Sequence, residues 1–164
     1  MIFTIHKGKH ISKPRKFSFW WGRDAFRWNV LFTPSCRYDL KSIDQLDINK
    51  LVGVGYLPTH HRESARFGWR YNSKNDRIEV FAYCYIGGKR VTRLIDDCEI
   101  GKEYFLNLFI SYDRYQFSIS DKAHVFSGET IKKTHNKKFQ YRLGTYFGGN
   151  EPAPQEIKIQ IKAV

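Results

Sequence analysis

Arginine and tyrosine side chains alternate with apolar ones in one stretch of the chain, in a pattern suited to binding an anion. Residues 64–71 read SARFGWRY, so an extended strand carries Arg66 and Arg70 on one face and Phe67 and Trp69 on the other. A guanidinium binds carboxylate or phosphate through two parallel hydrogen bonds, and an aromatic ring stacks on a sugar or a base. The predicted ligand-binding set combines guanidiniums and phenols from three segments: Arg66, Arg70, Tyr83, Tyr85, Arg142 and Tyr146.

These side chains form one surface only under two conditions. Residues 72–76 predict a polar turn into a second strand over 77–86, and the register of this hairpin decides the face on which Tyr83 and Tyr85 lie. A slip of one residue would move both phenols into the core beside Phe67. The second condition is that the strand over 141–147 lies in the same sheet. The alternative is a half-exposed sheet face on which arginine stems only cover aromatic surface.

Two residues are candidates for proton transfer, His61 and Tyr146. A catalytic histidine needs a pKa near the working pH and a partner within reach. The rings of His60 and His61 diverge if the two lie on a strand, so a solvated loop pair is a simpler interpretation than a shared metal ion. No nucleophile motif of the GxSxG type is present. The sequence therefore favours a protein without catalytic activity and leaves the question of an enzyme open.

Acidic residues in the longest connection, over 33–50, are candidates for a structural calcium site. Asp39, Asp44 and Asp47 supply carboxylates, but their spacing does not match an EF-hand loop, and a solvated loop or a short helix is favoured. The three cysteines include no CxxC pair, which argues against a zinc site or a disulfide framework. The sequence therefore predicts no cofactor, with calcium as the alternative.

The chain carries 28 lysines and arginines against 16 acidic residues, a formal net charge of +12. Such an excess favours encounters with anions, although solubility alone also accounts for it. The charge is spread along the chain, with small clusters over 7–16 and 132–138, and does not form one basic arm. We therefore expect an acidic glycan or another polyanion as partner and disfavour nucleic acid. The oligomeric state is left open.

Strand signals dominate the rest of the pattern and predict the architecture. A chain of 164 residues has the usual size of one domain. An aromatic content of 16% with a single methionine favours strands over helices. Gly87 and Gly88 indicate a two-residue hairpin loop, and isoleucines alternate with polar residues near the end. We predict one domain over residues 1–164, an all-β, antiparallel two-sheet β-sandwich of jelly-roll type with about ten strands, and a closed barrel as the alternative.

Several segments resemble motifs of known protein groups. Residues 64–71 with 78–85 (IEVFAYCY), and residues 143–159 (LGTYFGGNEPAPQEIKI), resemble motifs that recur in uncharacterised bacterial and phage proteins. The order and spacing of the strands are similar to concanavalin-like jelly rolls, among them alginate-type polysaccharide lyases and laminin-G-like glycan-binding domains. Those lyases carry an arginine-rich strand, a Gln-Ile-His strand and a late Tyr-x-Lys-x-Gly-x-Tyr strand on a concave sheet.

The correspondence with these lyase motifs is partial. Arg62, Arg66 and Arg70 would stand for the arginine-rich strand. The Gln-Ile-His element is absent, and the late strand has an arginine but no matching lysine. Its looser counterpart here consists of Tyr141, Arg142, Gly144 and Tyr146. The resemblance implies a fold more than a function.

No apolar segment has the length of a signal-peptide core or reaches the roughly 20 residues of a membrane-spanning helix. We therefore expect no membrane insertion and a protein that is cytoplasmic as synthesised or part of a phage particle.

Three functions fit these features. The first is a non-catalytic module that recognises an anionic or carbohydrate ligand on a concave arginine and tyrosine sheet face. The second is a polysaccharide lyase-like enzyme on the same face, with Tyr146 or His61 transferring the proton. The third is a phage structural or host-interaction protein whose positive charge meets an anionic surface.

Overall fold

The computed structural model describes residues 1–123 and 126–164, within which twelve strands are found. They are β1 (Ile2–Ile5), β2 (Phe19–Trp21), β3 (Ala25–Phe32), β4 (Asn49–Tyr56), β5 (Ser64–Asn72), β6 (Arg77–Ile86), β7 (Lys89–Glu99), β8 (Glu103–Ile110), β9 (Arg114–Ser120), β10 (Phe126–Lys132), β11 (Phe139–Leu143) and β12 (Ile157–Ala163). Two 3-10 turns, Pro34–Cys36 and Ile43–Leu46, occupy the connection between β3 and β4. Among the described residues, none of the helical segments has the length and apolar character needed to cross a membrane.

The strands form two six-stranded sheets, which confirms the predicted all-β sandwich of jelly-roll type. The first sheet has the order β1-β12-β3-β8-β9-β10, and the second has the order β2-β11-β4-β5-β6-β7. Every pair of neighbouring strands is antiparallel. Because the two sheets are separate, the fold is a sandwich and not a closed barrel.

Large apolar side chains fill the space between the two sheets. Phe67 of β5 packs edge-on against Trp28 and Phe117 of the first sheet, at ring-centroid distances of 6.2 and 5.1 Å. Phe32 and Trp69 meet across the layers at 5.7 Å. Burial of each such side chain contributes roughly 1.5–3 kcal/mol. The core therefore lies against one face of the second sheet, and Arg66 lies on its other face.

The β5–β6 hairpin has the register that places both phenols on the sheet face opposite Phe67, where Tyr83 is buried and Tyr85 is half-buried. Arg66 pairs with Tyr83, and Ser64 pairs with Tyr85. Paired residues in an antiparallel sheet point to the same face, so these four side chains lie together. Phe67 points the opposite way and is fully buried. The apolar stripe selects this register, because a slip of one residue would expose it and bury the arginine.

The next hairpin turns through Gly87 and Gly88, as the sequence predicts. Both glycines have positive φ, 57° and 83°, which is the backbone of a primed two-residue turn. Ile86 and Lys89 pair on either side of the loop. The turn brings β7, with Arg90, alongside the phenols of β6.

Candidate functional site

A cleft of about 640 Å³ opens on the outer face of the second sheet. It is lined by residues of β4, β5, β6, β7 and β11, by Phe3 of β1 in the first sheet, by His60 and His61, and by residues from the segments 11–17 and 144–149. No carboxylate from the described part of the chain lines this cleft. A concave surface with one sign of charge attracts ligands of the opposite sign. The cationic residues that line it are Arg15, Lys16, Lys50, Arg66, Arg90 and Arg142.

Arg66 is a buried cation that has no acidic partner in the cleft. Its side chain is almost fully enclosed, its Nη2 donates a hydrogen bond of 2.7 Å to the Gly144 carbonyl, and its Nε has no hydrogen-bond partner. Burial lowers the pKa of Arg66 to about 10, so the guanidinium stays charged at neutral pH. An unpaired buried charge costs several kcal/mol, a cost that an anionic ligand would offset.

A β-bulge in β4 brings the backbone of that strand against Arg66. The pairing of β4 with β5 shifts register between Lys50 and Gly53, so that Gly53 faces Arg66. A Cβ added at Gly53 would lie 2.3 Å from the carbonyl oxygen of Ala65 and 2.4 Å from the Cα of Arg66. Glycine is therefore required at this position by the close approach of the two strands.

Lys50 lines the cleft, close enough to Arg66 for the two charges to interact. Its Nζ is 5.2 Å from the ring centroid of Tyr83 and 5.9 Å from that of Tyr146. Burial lowers the pKa of Lys50 to about 8, and the nearby charge of Arg66 adds to this effect, while Asp47 partly opposes it. A lysine whose pKa lies so close to neutrality is able to act as a base.

Two phenols of β6 face these cations. The rings of Tyr83 and Tyr85 meet edge-on at 6.0 Å. Burial raises the pKa of Tyr83, the neighbouring Tyr85 raises it further, and Arg90 lowers it. The Tyr83 hydroxyl is therefore protonated at neutral pH and can donate a proton or a hydrogen bond.

Tyr146 and Arg142 approach the cleft from the late part of the chain. The backbone of Tyr146 exchanges two hydrogen bonds with that of Lys50, at 2.8 and 3.0 Å, and its ring stacks on His10 at 5.3 Å. Arg142 pairs with the core residue Val54, so its side chain lies on the core-facing side of β11 and reaches the cleft only at its edge, where Phe3 also lines it. Its guanidinium lies 5.8 Å from the ring centroid of Phe3, its Nε has no partner, and burial lowers its pKa. The late segment thus closes one side of the cleft.

His60 and His61 lie at the rim in the turn that precedes β5. Their rings lie 4.2 Å apart, and the ring of His61 also meets Tyr85 at 5.3 Å. Burial lowers the pKa of His60 to about 4, and the neighbouring His61 and Arg66 contribute, so its imidazole is neutral at physiological pH. Both histidines offer ring surface to a ligand.

The structure therefore brings six of the sequence-predicted residues into one cleft, and it places Arg70 elsewhere. Arg70 lies two positions along β5, where its Nε donates to Glu79 at 2.6 Å and its Nη1 donates to the Leu46 carbonyl at 2.8 Å. Its guanidinium also lies 5.2 Å from the ring centroid of Phe81. Because Glu79 neutralises its charge, Arg70 is less suited to an external anion. The six residues in the cleft are His61, Arg66, Tyr83, Tyr85, Arg142 and Tyr146.

Two of the three acidic residues proposed for calcium accept hydrogen bonds from backbone N–H groups, Asp39 within its own loop and Asp44 from the loop before β12. Asp44 accepts the backbone N–H groups of Asn150 and Glu151, and Asp39 accepts that of Lys41. Within residues 1–123 and 126–164, no group of three or more His, Cys, Asp or Glu side chains is arranged to hold a metal ion. The three cysteines are buried and form no disulfide.

Lys50 is a cleft residue that the sequence analysis missed, as it missed Arg15, Lys16 and Arg90, and the bulge explains why Lys50 was missed. In a regular strand, Lys50 and Gly53 would face opposite sides of the sheet. The bulge buries both Leu51 and Val52 and returns Lys50 to the face that carries Arg66. The sequence signal that could have indicated the bulge is the pair Gly53 and Gly55, since both remove side chains from this face of β4.

Comparisons with known proteins support the fold. No family model matches the chain, and no curated protein matches its sequence. Among solved structures, the chain is similar to an alginate lyase from Klebsiella pneumoniae, with a TM-score of 0.64 and 8% identity, over 87% of this chain and 60% of the lyase. It is also similar to the alginate lyase AlgAT5 of polysaccharide lyase family 7, with a TM-score of 0.52 and 10% identity, over 99% and 77% of the two chains.

A third similar structure is a xylan β-1,4-xylosidase from Bacillus halodurans, with a TM-score of 0.51 and 9% identity, over 93% of this chain and 29% of the enzyme. The chain thus spans 60% of the length of the Klebsiella lyase and less than a third of the xylosidase. At these identities the likeness is one of fold, and it bears out the resemblance to concanavalin-like jelly rolls.

Proposed function

We propose that the chain is a polysaccharide lyase that binds a uronate unit of an acidic glycan in the cleft and breaks the glycosidic bond by β-elimination. One observation carries this proposal. Arg66, buried without a counter-ion, shares the cleft with Lys50, an amine whose pKa is about 8, and with the protonated phenol of Tyr83. An elimination next to a carboxylate needs a cation, a base and an acid. Two of the similar folds are alginate lyases, which supports an acidic glycan as the substrate class.

Arg66 is the group that binds the uronate carboxylate. Pairing with a guanidinium neutralises the carboxylate and makes the neighbouring C5–H more acidic, because the electron pair left at C5 delocalises into the carboxyl group. Since Arg66 is buried, water screens this interaction weakly. The guanidinium therefore stabilises the charge that develops during proton removal.

Lys50 and Tyr83 complete the reaction as base and acid. Neutral Lys50 accepts the proton from C5, and the electron pair released forms the C4=C5 double bond. The bond between C4 and the glycosidic oxygen breaks, and the departing oxygen takes the phenolic proton of Tyr83. The products are an unsaturated uronate and a shorter glycan, and proton exchange with solvent restores both side chains.

A module that binds the same glycan without turnover is the second candidate, and the aromatic rings of the cleft favour it. Tyr146 stacks on His10, and Tyr85 meets His61, so several rings are held in place by their neighbours. Rings held in this way stack on sugars at a small entropic cost. The two candidates share a ligand and differ only in whether a product forms.

A panel of uronic-acid polymers tests the proposal. The protein is incubated with each polymer, and the ultraviolet absorbance of the C4=C5 bond is followed. We expect absorbance to rise with at least one polymer and to stay flat with the Lys50→Met variant. Calorimetric binding without any rise in absorbance would overturn the lyase in favour of the non-catalytic module. If no polymer is cleaved or bound, both candidates are wrong.

A further inference from the structure

A group of exposed aromatic rings lies beside the cleft, at the edge of the second sheet. Three side chains there are largely exposed: Phe17 at 78%, Phe19 at 63% and Trp21 at 78%. The ring of Phe19 stacks on that of Phe139 in β11, with centroids 5.7 Å apart and an interplanar angle of 29°. We call these four residues the aromatic platform. Clusters of exposed apolar rings mark sites of interaction.

Strand alternation places the platform on the outer face. Trp20 points inward and packs against the hydrophobic core, so its neighbours Phe19 and Trp21 point outward. In the pairing of β2 with β11, Phe19 lies beside Tyr141 and Trp21 lies beside Phe139. On this face of the sheet the rings form two adjacent rows, one of Phe19 with Tyr141 and one of Trp21 with Phe139.

One of these rows continues into the cleft. Tyr141 pairs with Gly55, Gly55 pairs with Ser64, and Ser64 pairs with Tyr85, which lines the cleft. The row from Phe19 to Tyr85 crosses five strands. With neighbouring strands 4.7–4.9 Å apart, it extends over roughly 19 Å. A chain of several sugar units fits along this distance.

Gly55 makes room for the ring of Tyr141 between the platform and the cleft. A Cβ at Gly55 would lie 2.7 Å from the Cζ of Tyr141 and 2.9 Å from the Cβ of His60. The ring of Tyr141 therefore lies across the glycine, with its centroid 6.5 Å from the ring of His60, a residue of the cleft. Phe17 belongs to both surfaces, because it also lines the cleft.

The charges around the platform match a polyanion. Lys16 lines the cleft next to Phe17. At the opposite end, the exposed Lys138 lies against the turn that follows Trp21, with its Cδ 3.4 Å from the Cβ position of Gly22. A glycan that runs from the cleft across the rings would therefore meet a lysine at both ends.

We propose that the aromatic platform binds further sugar units of the acidic glycan whose uronate occupies the cleft, so that the protein prefers long chains to short ones. The inference rests on the proposed function. Each ring of Phe19, Trp21 and Phe139 presents an apolar face on which a pyranose stacks, and these contacts add affinity only for a ligand that extends beyond the cleft. Phe17 lines the cleft, and Tyr141 lies between the platform and His60 of the cleft. The two surfaces are therefore continuous, which favours a glycan over a second protein as the ligand of the platform.

Binding of short and long ligands measures the platform directly. Trisaccharides and octasaccharides of alginate, polygalacturonate and hyaluronan are titrated calorimetrically into the Lys50→Met protein, which is designed to prevent cleavage. Phe19→Ala with Trp21→Ala is then added to this background. We expect the double change to weaken octasaccharide binding about tenfold or more and trisaccharide binding less than about twofold. Because both side chains are exposed, thermal unfolding of the variants should be unchanged.

Trp21→Phe is the matched control, since it keeps a ring at this position and should retain the preference for octasaccharides. If the double change weakens the binding of both lengths equally, or of neither, the platform does not bind further sugar units. The proposed role of the cleft would not be affected by this result. If the Lys50→Met protein with an intact platform binds neither the trisaccharides nor the octasaccharides, the proposed function and this inference are both wrong. If sedimentation shows that the double change converts a dimer into a monomer without altering length preference, the rings are a contact between copies, and the inference is wrong.

Discussion

At the level of single residues, the pKa of Lys50 gives the proposed lyase a defined pH dependence. Burial lowers this pKa to about 8, and the base is the deprotonated amine. We therefore expect kcat/KM to rise with pH below about 8, to level off above it, and to fall again toward pH 10, because burial lowers the pKa of the Arg66 guanidinium to about 10. The measurement is kcat/KM on a cleaved polymer from about pH 6 to about pH 10. A profile that is flat across this range would contradict the assignment of Lys50 as base.

A matched pair of substitutions on β5 tests the role of Arg66. Arg66→Lys removes the planar fork that binds a carboxylate, and we expect kcat/KM to fall by roughly a hundredfold. Arg70→Lys changes the same residue type on the same strand, but Arg70 lies outside the cleft and is paired with Glu79, so kcat/KM should change by less than about twofold. Equal losses in the two variants would point to a general effect of charge instead of a specific contact.

Tyr83 and Tyr146 flank Lys50, and phenylalanine substitutions separate their roles. Tyr83→Phe removes the proposed proton donor, and we expect kcat to fall by roughly a hundredfold or more. Tyr146→Phe keeps the ring that stacks on His10 and should affect KM more than kcat. Steady-state kinetics of the two variants provides the measurement. If Tyr146→Phe shows the larger loss of kcat, proton donation belongs to Tyr146.

The side chains of the cleft could be predicted from sequence only where the alternation is regular. Arg66, Tyr83 and Tyr85 follow from the apolar stripe, since their strands alternate strictly. Lys50 could not be predicted, because the bulge in β4 breaks the period on which such reasoning depends. Arg70 looked equivalent to Arg66, and only the pairing of β5 with β6 reveals that Glu79 faces it.

At the level of structural elements, the close approach of β4 and β5 makes Gly53 sensitive to any side chain. Gly53→Ala places a methyl group 2.3 Å from a backbone oxygen, so the two strands must separate. We expect the free energy of unfolding to fall by about 1–3 kcal/mol. Denaturant unfolding measures it, with Gly144→Ala as control because a Cβ there meets nothing within 4 Å. Unchanged stability of Gly53→Ala would contradict the bulge geometry.

The β5–β6 and β6–β7 hairpins were specified well by the sequence, whereas the Gly22–Asp24 segment, which also reads as a hairpin turn, joins β2 and β3 of different sheets. The Gly87–Gly88 turn and the apolar stripe of β5 are local signals, and both are confirmed. The pairing of β2 with β11 joins segments more than a hundred residues apart, as in the contact of Phe19 with Tyr141. No local sequence pattern predicts such a pairing. The faces of the adjacent Trp20 and Trp21 therefore could not be assigned from the sequence, and the aromatic platform was not predicted.

At the level of the whole molecule, composition predicted the class of fold, and the excess of basic residues predicts an anionic partner. Its net charge of +12 is spread along the sequence. Folding gathers six cations from distant segments into one cleft and leaves the acidic side chains of the described residues outside it. An anionic partner is thus a prediction from composition, whereas the place where these cations meet depends on strand order, which only the structure shows.

The most direct test of the central claim is the mass of the products. An acidic oligosaccharide of defined length is incubated with the protein, and the fragments are analysed by mass spectrometry. Elimination predicts pairs of fragments whose masses sum to that of the substrate, with a C4=C5 bond in one of them, and no fragments from the Lys50→Met variant. Fragments that sum to the substrate plus one water would indicate hydrolysis, and either this result or an uncleaved substrate would contradict the account.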